Sequence, residues 1–262
     1  MRRGDYSLAV LLVLAAFRAA SAAPPSIQAA ESSVQLGLTA GYGAFEENRA
    51  AKDTEAGGVI GVAMGASSLS PIALNQLGWP DLYASVSYRF SAGLLRIQDN
   101  TPDAERSSGG GAGYANMVMV RLGLGEAFTG AAEIIPYSAG GYQTWTRGQD
   151  EAYQAGLLGG GIKLDVAATP LLVVSADAEG FAVIAGKLSV PAQNYTGGFG
   201  PSAEERISLG ADYRINNAWH AFAGLGVTYY GYSGSRGDIV QSYDPLGTNL
   251  QINSMFGLSY GF

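Results

Sequence analysis

The C-terminal run from Leu250 to Phe262 constrains the fold more than any other stretch of the chain. Leu250, Ile252, Ser254, Phe256, Leu258, Tyr260 and Phe262 alternate with Gln251, Asn253, Met255, Gly257, Ser259 and Gly261. A period of two puts these two sets on opposite faces of an extended strand. The pattern recurs in Val34, Leu36, Leu38, Ala40 and Tyr42, in Leu82, Ala84, Val86, Tyr88 and Phe90, and in Ile207, Leu209, Ala211, Tyr213 and Ile215.

Alternation alone does not separate a soluble sandwich, a soluble ligand-binding barrel and a membrane barrel. The second face decides. A soluble sheet spends Lys, Glu and Asp on its water side. Here that face is mostly Gly, Ser, Asn and Gln; only 14% of the 262 residues are charged, and 38 are Gly. Such a face suits the wet interior of a barrel whose outside is lipid. In hydrocarbon every backbone N–H and C=O needs a partner, so strands span only as a closed barrel. The expected fold is therefore all-β, a transmembrane antiparallel up-and-down β-barrel. Strands are expected near residues 33–43, 56–66, 81–95, 113–124, 130–146, 153–166, 171–184, 205–215, 219–232 and 250–262. That makes about ten, with eight or twelve left open.

The first residues are read separately. Arg2 and Arg3 precede an apolar run from Leu8 to Phe17, and Ala20-Ser21-Ala22 supplies small residues for cleavage. This is the pattern of an export signal, and its apolar core is too short to span a bilayer as a helix. The expected division is a signal peptide over residues 1–22 and an outer-membrane β-barrel domain over 23–262. Cleavage removes three basic residues and one acid, making a chain of formal net charge −7 still more acidic. With no Lys/Arg cluster beyond the first residues, a nucleic-acid partner is excluded. The absence of Cys excludes disulfide scaffolds and thiolate metal sites.

Connection lengths orient the barrel. Residues 44–55, 96–112, 185–204 and 233–249 read as long outer loops, while Ala167 to Pro170 and Asn216 to Ala218 read as tight periplasmic turns. Residues 67–80 form a long connection on the short-turn side, with Pro71, Leu74, Leu77 and Trp79, and read equally as a surface for a periplasmic partner or as a loop lying across the barrel mouth. Ser107 to Gly113 reads as a flexible Ser/Gly stretch, and Arg236-Gly237-Asp238, in an outer loop, matches an adhesion tripeptide by three residues only. This topology bands the aromatic residues at the two interfaces. Trp79, Tyr213, Trp219, Tyr260 and Phe262 fall at the periplasmic ends. Tyr42, Tyr114, Tyr142, Trp145, Tyr153, Tyr229 and Tyr232 fall at the outer ends.

The segment from Ser254 to Phe262, apolar at alternate positions and ending in Phe, resembles the C-terminal signal of bacterial outer-membrane β-barrel proteins. The resemblance implies a Gram-negative outer-membrane location, outer-membrane lipid as surroundings, and the barrel-assembly machinery as a partner during biogenesis. Phe256, Leu258, Tyr260 and Phe262 would be the residues read. In size and Gly/Tyr texture the chain is similar to small surface barrels of the opacity type and the MltA-interacting/OmpV type, and no motif separates these groups.

Charges assigned to the inward faces include Arg89, Arg121, Glu133, Lys163, Asp165, Asp177, Glu179, Arg206, Asp212 and Arg214. Of these, Asp177, Glu179, Asp212, Arg214, Arg206 and Lys163 form the candidate lumen cluster. Asp177 and Glu179 share one face of a strand, and folding the next hairpin about residue 195 sets them beside Asp212 and Arg214. The cluster reads either as a selectivity ring or carboxylate pair, or as salt bridges tying the wall together. Lumen-facing glycines, Gly159, Gly161, Gly210, Gly224, Gly226, Gly257 and Gly261, either open a thin passage or relieve crowding. The sole histidine, His220, falls at the periplasmic rim. With no nucleophile–base pair visible, the expectation is a structural or surface-exposed outer-membrane protein without catalytic residues, metal or cofactor. A narrow passive channel is the alternative, and a lipid-modifying enzyme is a more distant one.

Overall fold

The computed structural model describes residues 23–47, 54–72, 81–98, 108–147, 151–191, 194–198, 200–232 and 247–262. The signal segment, Leu74, Leu77, Trp79 and the Arg236-Gly237-Asp238 tripeptide lie outside them.

A short helix, α1 (Pro25–Glu31), leads into the strands β1 (Ser33–Glu47), β2 (Thr54–Pro71), β3 (Asp81–Gln98), β4 (Ser108–Thr129), β5 (Ala132–Arg147), β6 (Glu151–Thr169) and β7 (Leu172–Val190). A four-residue β8 (Tyr195–Gly198) precedes β9 (Ser202–Arg214), β10 (Trp219–Tyr232) and β11 (Gly247–Gly261). Every neighbour is antiparallel. β1 pairs with β2 on one side and β11 on the other, Ser33 opposite Gly261 and Glu47 opposite Gly247. β6 pairs with β7, and β7 with β9, which closes the ring. The fold is thus a closed ten-strand antiparallel barrel, with β8 appended to the outer end of β7.

Inverted exposure identifies its surroundings. Leu36, Ile60, Leu94, Ile207, Leu225 and Phe256 point outward and are between 53% and 76% exposed. An apolar band around the whole circumference, with the polar residues inside, is stable only against hydrocarbon. The architecture is that of a transmembrane β-barrel of the outer-membrane type. Its strands are longer than the roughly 9–11 residues needed to cross; β4 runs for 22, so the wall extends beyond the lipid layer.

Four expectations change. Strand β2 reaches Pro71, well past residue 66, shortening the periplasmic connection to residues 72–80. The stretch from Ser108 to Gly113, expected to be flexible, is the start of β4 and pairs with Gln98 to Gly93, because a ready ladder partner satisfies backbone groups that Gly leaves accessible. Trp145 and Tyr153 are not girdle residues: they face inward, stacked with ring centroids 4.9 Å apart, and Tyr230 packs 6.3 Å from Trp145. Tyr42, Tyr114, Tyr142 and Tyr229 do face outward near the outer rim, and Trp219 and Tyr260 meet edge-on, 5.3 Å apart, near the periplasmic rim.

The fourth change is α1, which alternation cannot announce. Pro25 at its first position presets the backbone dihedral. Seven residues are too few to hold a helix in water, so packing must hold it. Ile27 is 0% exposed and Ala30 3%, in one buried cluster with Leu69, Tyr83, Ile135 and Val173 from the surrounding wall. The helix packs against β2, β6 and β7. Ser32 anchors its end, accepting from Leu69 N at 3.2 Å and donating to Leu69 O at 3.3 Å. Since both chain ends of the barrel and the tight turns lie at this end, α1 plugs the periplasmic mouth.

Candidate functional site in the plugged lumen

The lumen has a bulky wall and a bare one. β4 to β7 send Met117, Met119, Tyr137, Leu157 and Phe181 inward, whereas β1, β2 and β9 to β11 face them largely with Gly, Ser, Thr and Ala. Between the walls lies a cavity of about 310 Å³, bordered by Thr39, Ala63, Arg89, Gly224, Gly226 and Met255 among others. The glycines serve two purposes. A Cβ on Gly159 would fall 1.9 Å from the Gly180 carbonyl oxygen, so that glycine relieves backbone crowding. A Cβ on Gly226 would meet nothing closer than 3.6 Å, so that one leaves space.

In mid-lumen, charges from the bulky wall and from β9 are committed to each other. Arg121 Nε donates to Glu179 Oε1 at 2.5 Å, and the Arg206 guanidinium lies 3.7 Å from Glu179 Oε2. Arg206 also donates through Nε to Glu204 Oε1 at 2.5 Å, while Gln143 Nε2 donates to Glu204 Oε2 at 2.8 Å. The Tyr137 hydroxyl sits 2.5 Å from Asp177 Oδ1 and 2.8 Å from Glu179 Oε1. A phenol has one hydrogen to give. Glu179 already accepts from Arg121, so that hydrogen serves Asp177. The guanidinium carbons rest 5.9 Å from the Tyr137 ring centre for Arg121 and 4.9 Å from that of Phe181 for Arg206, using aromatic faces as further cation partners.

The six candidate residues therefore divide into separate groups. Asp177, Glu179 and Arg206 share the mid-lumen network. Lys163 lies toward the plug, bridging Glu31 of α1 and Asp165, the latter at 3.3 Å. Asp212 pairs with His220, Oδ1 to Nδ1 at 2.6 Å. Arg214 donates to the Pro170 carbonyl at 2.9 Å and ties two periplasmic turns together. The expected juxtaposition of Asp177 and Glu179 with Asp212 and Arg214 is corrected: Glu179 stands opposite Arg206 and Asp177 opposite Ser208. Directly paired residues point to the same side. Odd-numbered inward residues on β7 must face even-numbered ones on β9, which a fold about residue 195 forbids.

Sequence reasoning missed Glu204, Gln143 and Tyr137 as network members, although their inward parity was available. His220 stands at the periplasmic end of β10, as expected, but is buried, 1% exposed. Ser259 Oγ donates to the far oxygen of Asp212 at 3.5 Å, so this serine meets the carboxylate and not the imidazole. A nucleophile relay needs the hydroxyl on the imidazole nitrogen that faces away from the carboxylate; the order here is different. Among the described residues no grouping of His, Asp and Glu has the form of a metal site. Phe256, Leu258 and Tyr260 project outward from β11, and with Phe262, the residue after it, are 50% to 74% exposed.

No protein-family model matches the chain, and no curated protein matches it. Among solved structures, the chain is similar in fold to the outer-membrane protease OmpT from Escherichia coli, with a TM-score of 0.49 and 9% identity over 88% of this chain and 95% of that one. It is similar to the translocator domain of the autotransporter NalP from Neisseria meningitidis, with a TM-score of 0.40 and 11% identity over 88% of each chain. A third likeness is to OprG from Pseudomonas aeruginosa, with a TM-score of 0.31 and 10% identity over 90% of this chain and 98% of that one.

Proposed function

We propose that this chain is a Gram-negative outer-membrane barrel, closed to ion flow by its own N-terminal helix, with a structural or surface-exposed role and no catalytic activity. The observation that carries the reading is α1 seated in the periplasmic mouth with Ile27 fully buried. Two features support it further. In mid-lumen, Arg121, Glu179, Arg206 and Glu204 are committed to one another, and the Tyr137 hydroxyl to Asp177. At the outer end, Trp145, Tyr153 and Tyr230 pack together across the lumen. Outer-membrane lipid surrounds the apolar band, and the outward Phe256, Leu258, Tyr260 and Phe262 are the face offered to the assembly machinery during biogenesis.

The cavity of about 310 Å³ and its glycine-rich border favour a second reading, a narrow passage for ions or small solutes that the helix gates. Planar-bilayer recording of the refolded chain 23–262 separates the two. The closed-barrel reading expects no sustained conductance, only rare openings, from a protein whose folding is verified by heat-modifiable migration. Steady stepwise conductance from the unaltered chain sinks it and leaves the passage.

A further inference from the structure

The periplasmic mouth holds a nest of buried carboxylates that the mid-lumen network does not use. Asp81 at the start of β3, Glu133 on β5 and Asp165 on β6 are each 0% exposed, and Glu31 of α1 is 9% exposed. Register explains their meeting: Glu133 stands opposite Asp165, and Asp81 opposite Gly125. A Cβ on Gly125 would fall 2.0 Å from Glu133 Oε1 and 3.4 Å from the Asp81 side chain, so both acids flank one glycine. Lys163 bridges Glu31 and Asp165. Neither Glu133 oxygen accepts a hydrogen bond among the described residues, nor does Asp81 Oδ1. Lys163 serves the Glu31–Asp165 side only; among the described residues no cation is bonded to the Asp81–Glu133 side, and buried carboxylates without donors are costly.

Donors reach its Asp81 corner from the plug segment, the Gln28 side chain among them. The Ala23 backbone nitrogen lies 2.8 Å from Asp81 Oδ2, and Ala23 is 5% exposed. Ala23 is also the residue that follows Ala20-Ser21-Ala22, the small-residue cleavage pattern. Hydrolysis of the Ala22–Ala23 peptide bond by a leader peptidase adds the hydroxyl of water to the Ala22 carbonyl and its hydrogen to the Ala23 nitrogen. That nitrogen takes up one more proton near neutral pH and becomes an ammonium.

We infer that the Asp81–Glu133 nest is the binding site for the new α-ammonium group of Ala23, so that leader removal creates the charge that locks the plug helix into the barrel mouth. Before cleavage the nitrogen is an amide with one hydrogen, which Asp81 accepts. After cleavage it has three, enough for Asp81 and for the unserved oxygens of Glu133. The inference rests on reading residues 1–22 as a cleaved leader, and it is independent of whether the barrel conducts.

The test takes protein purified from membranes after export. Intact mass and N-terminal sequencing are expected to show a chain beginning at Ala23; a different start overturns the inference through its cleavage premise. If the chain begins at Ala23, the α-amine is labelled with acetic anhydride near pH 7, before and after unfolding in denaturant, and quantified by peptide mass spectrometry. A docked ammonium is expected to label at least about tenfold more slowly in the folded barrel, since each unit by which its pKa rises cuts the reactive fraction tenfold. Labelling equally fast in both states overturns the docking while leaving the cleavage intact. Asp81→Asn and Glu133→Gln are expected to restore reactivity. A one-residue Gly insertion between Ala22 and Ala23 keeps both carboxylates and displaces the amine. It is expected to label freely in a barrel that migrates as folded, and protection of that displaced amine would also overturn the site.

Discussion

Replacing Ile27 by Ala should unseat the plug without touching the barrel wall. The side chain is fully buried against the mouth, and release of α1 would return it to water. Ile27→Ala removes three carbons from that contact. At ~0.8 kcal/mol for each buried carbon, the seated state loses about 2.4 kcal/mol relative to the released one. Since 1.4 kcal/mol is a factor of ten, the released fraction rises roughly 50-fold. Long planar-bilayer recordings at fixed voltage measure this as the frequency of open events per inserted barrel, with Ser26→Ala, a partly exposed position on the same helix, as the control. Openings should be rare in the unaltered protein, roughly 50-fold more frequent with Ile27→Ala, and continuous when residues 23–31 are deleted. A deletion variant that migrates as a folded barrel and stays silent would refute the reasoning, because the block would then lie elsewhere in the lumen.

Three further outcomes concern the wall and its interior. Arg121→Ala leaves Glu179 without its closest cation and should cost about 3–5 kcal/mol in urea-titrated folding into vesicles, whereas Arg121→Leu combined with Glu179→Leu should recover much of it; equal or greater loss in the double variant would contradict the pairing. Leu225→Arg, on the lipid face in the middle of β10, should cost about 2–4 kcal/mol, and Tyr229→Arg, near the outer rim, about 0–1; the same assay reads both, and equal costs would place the bilayer elsewhere. Gly61→Ala would set a Cβ 1.9 Å from the Phe90 carbonyl oxygen and should cost about 1–3 kcal/mol. Gly180→Ala, with nothing within 4 Å, should stay within about 0.5 kcal/mol, and heat-modifiable migration at graded urea compares the pair.

How much was legible differs from residue to residue. Leu36, Leu209 and Leu258 announce the lipid face because a period of two is a local property of the chain, visible without knowing any partner. Inward parity likewise placed Asp177, Glu179, Arg206 and Lys163 in the lumen. Their grouping was not legible. Register depends on where each hairpin turns, and the β7–β9 connection carries an extra short strand that no spacing rule locates. A shift of a few residues was enough to exchange Arg206 for Arg214 as the neighbour of Glu179. Trp145 and Tyr153 mislead for a related reason: an aromatic at a strand end can serve the girdle or the mouth, and only its parity within the ladder distinguishes them.

By itself, the sequence determined the closed antiparallel barrel, its up-and-down order and its lipid-facing surface, since alternation and the pairing of every backbone group in hydrocarbon permit little else. Only the tertiary structure decided what fills the barrel. Seven residues with too weak a signal to be helical alone become a helix because Leu69, Ile135 and Val173 supply the apolar surface that Ile27 needs. Asp81, Glu133 and Asp165 lie far apart in sequence and become one nest only when β3, β5 and β6 bring their ends to the same mouth. Strand faces follow from neighbours along the chain; plugs and charge clusters follow from neighbours across it.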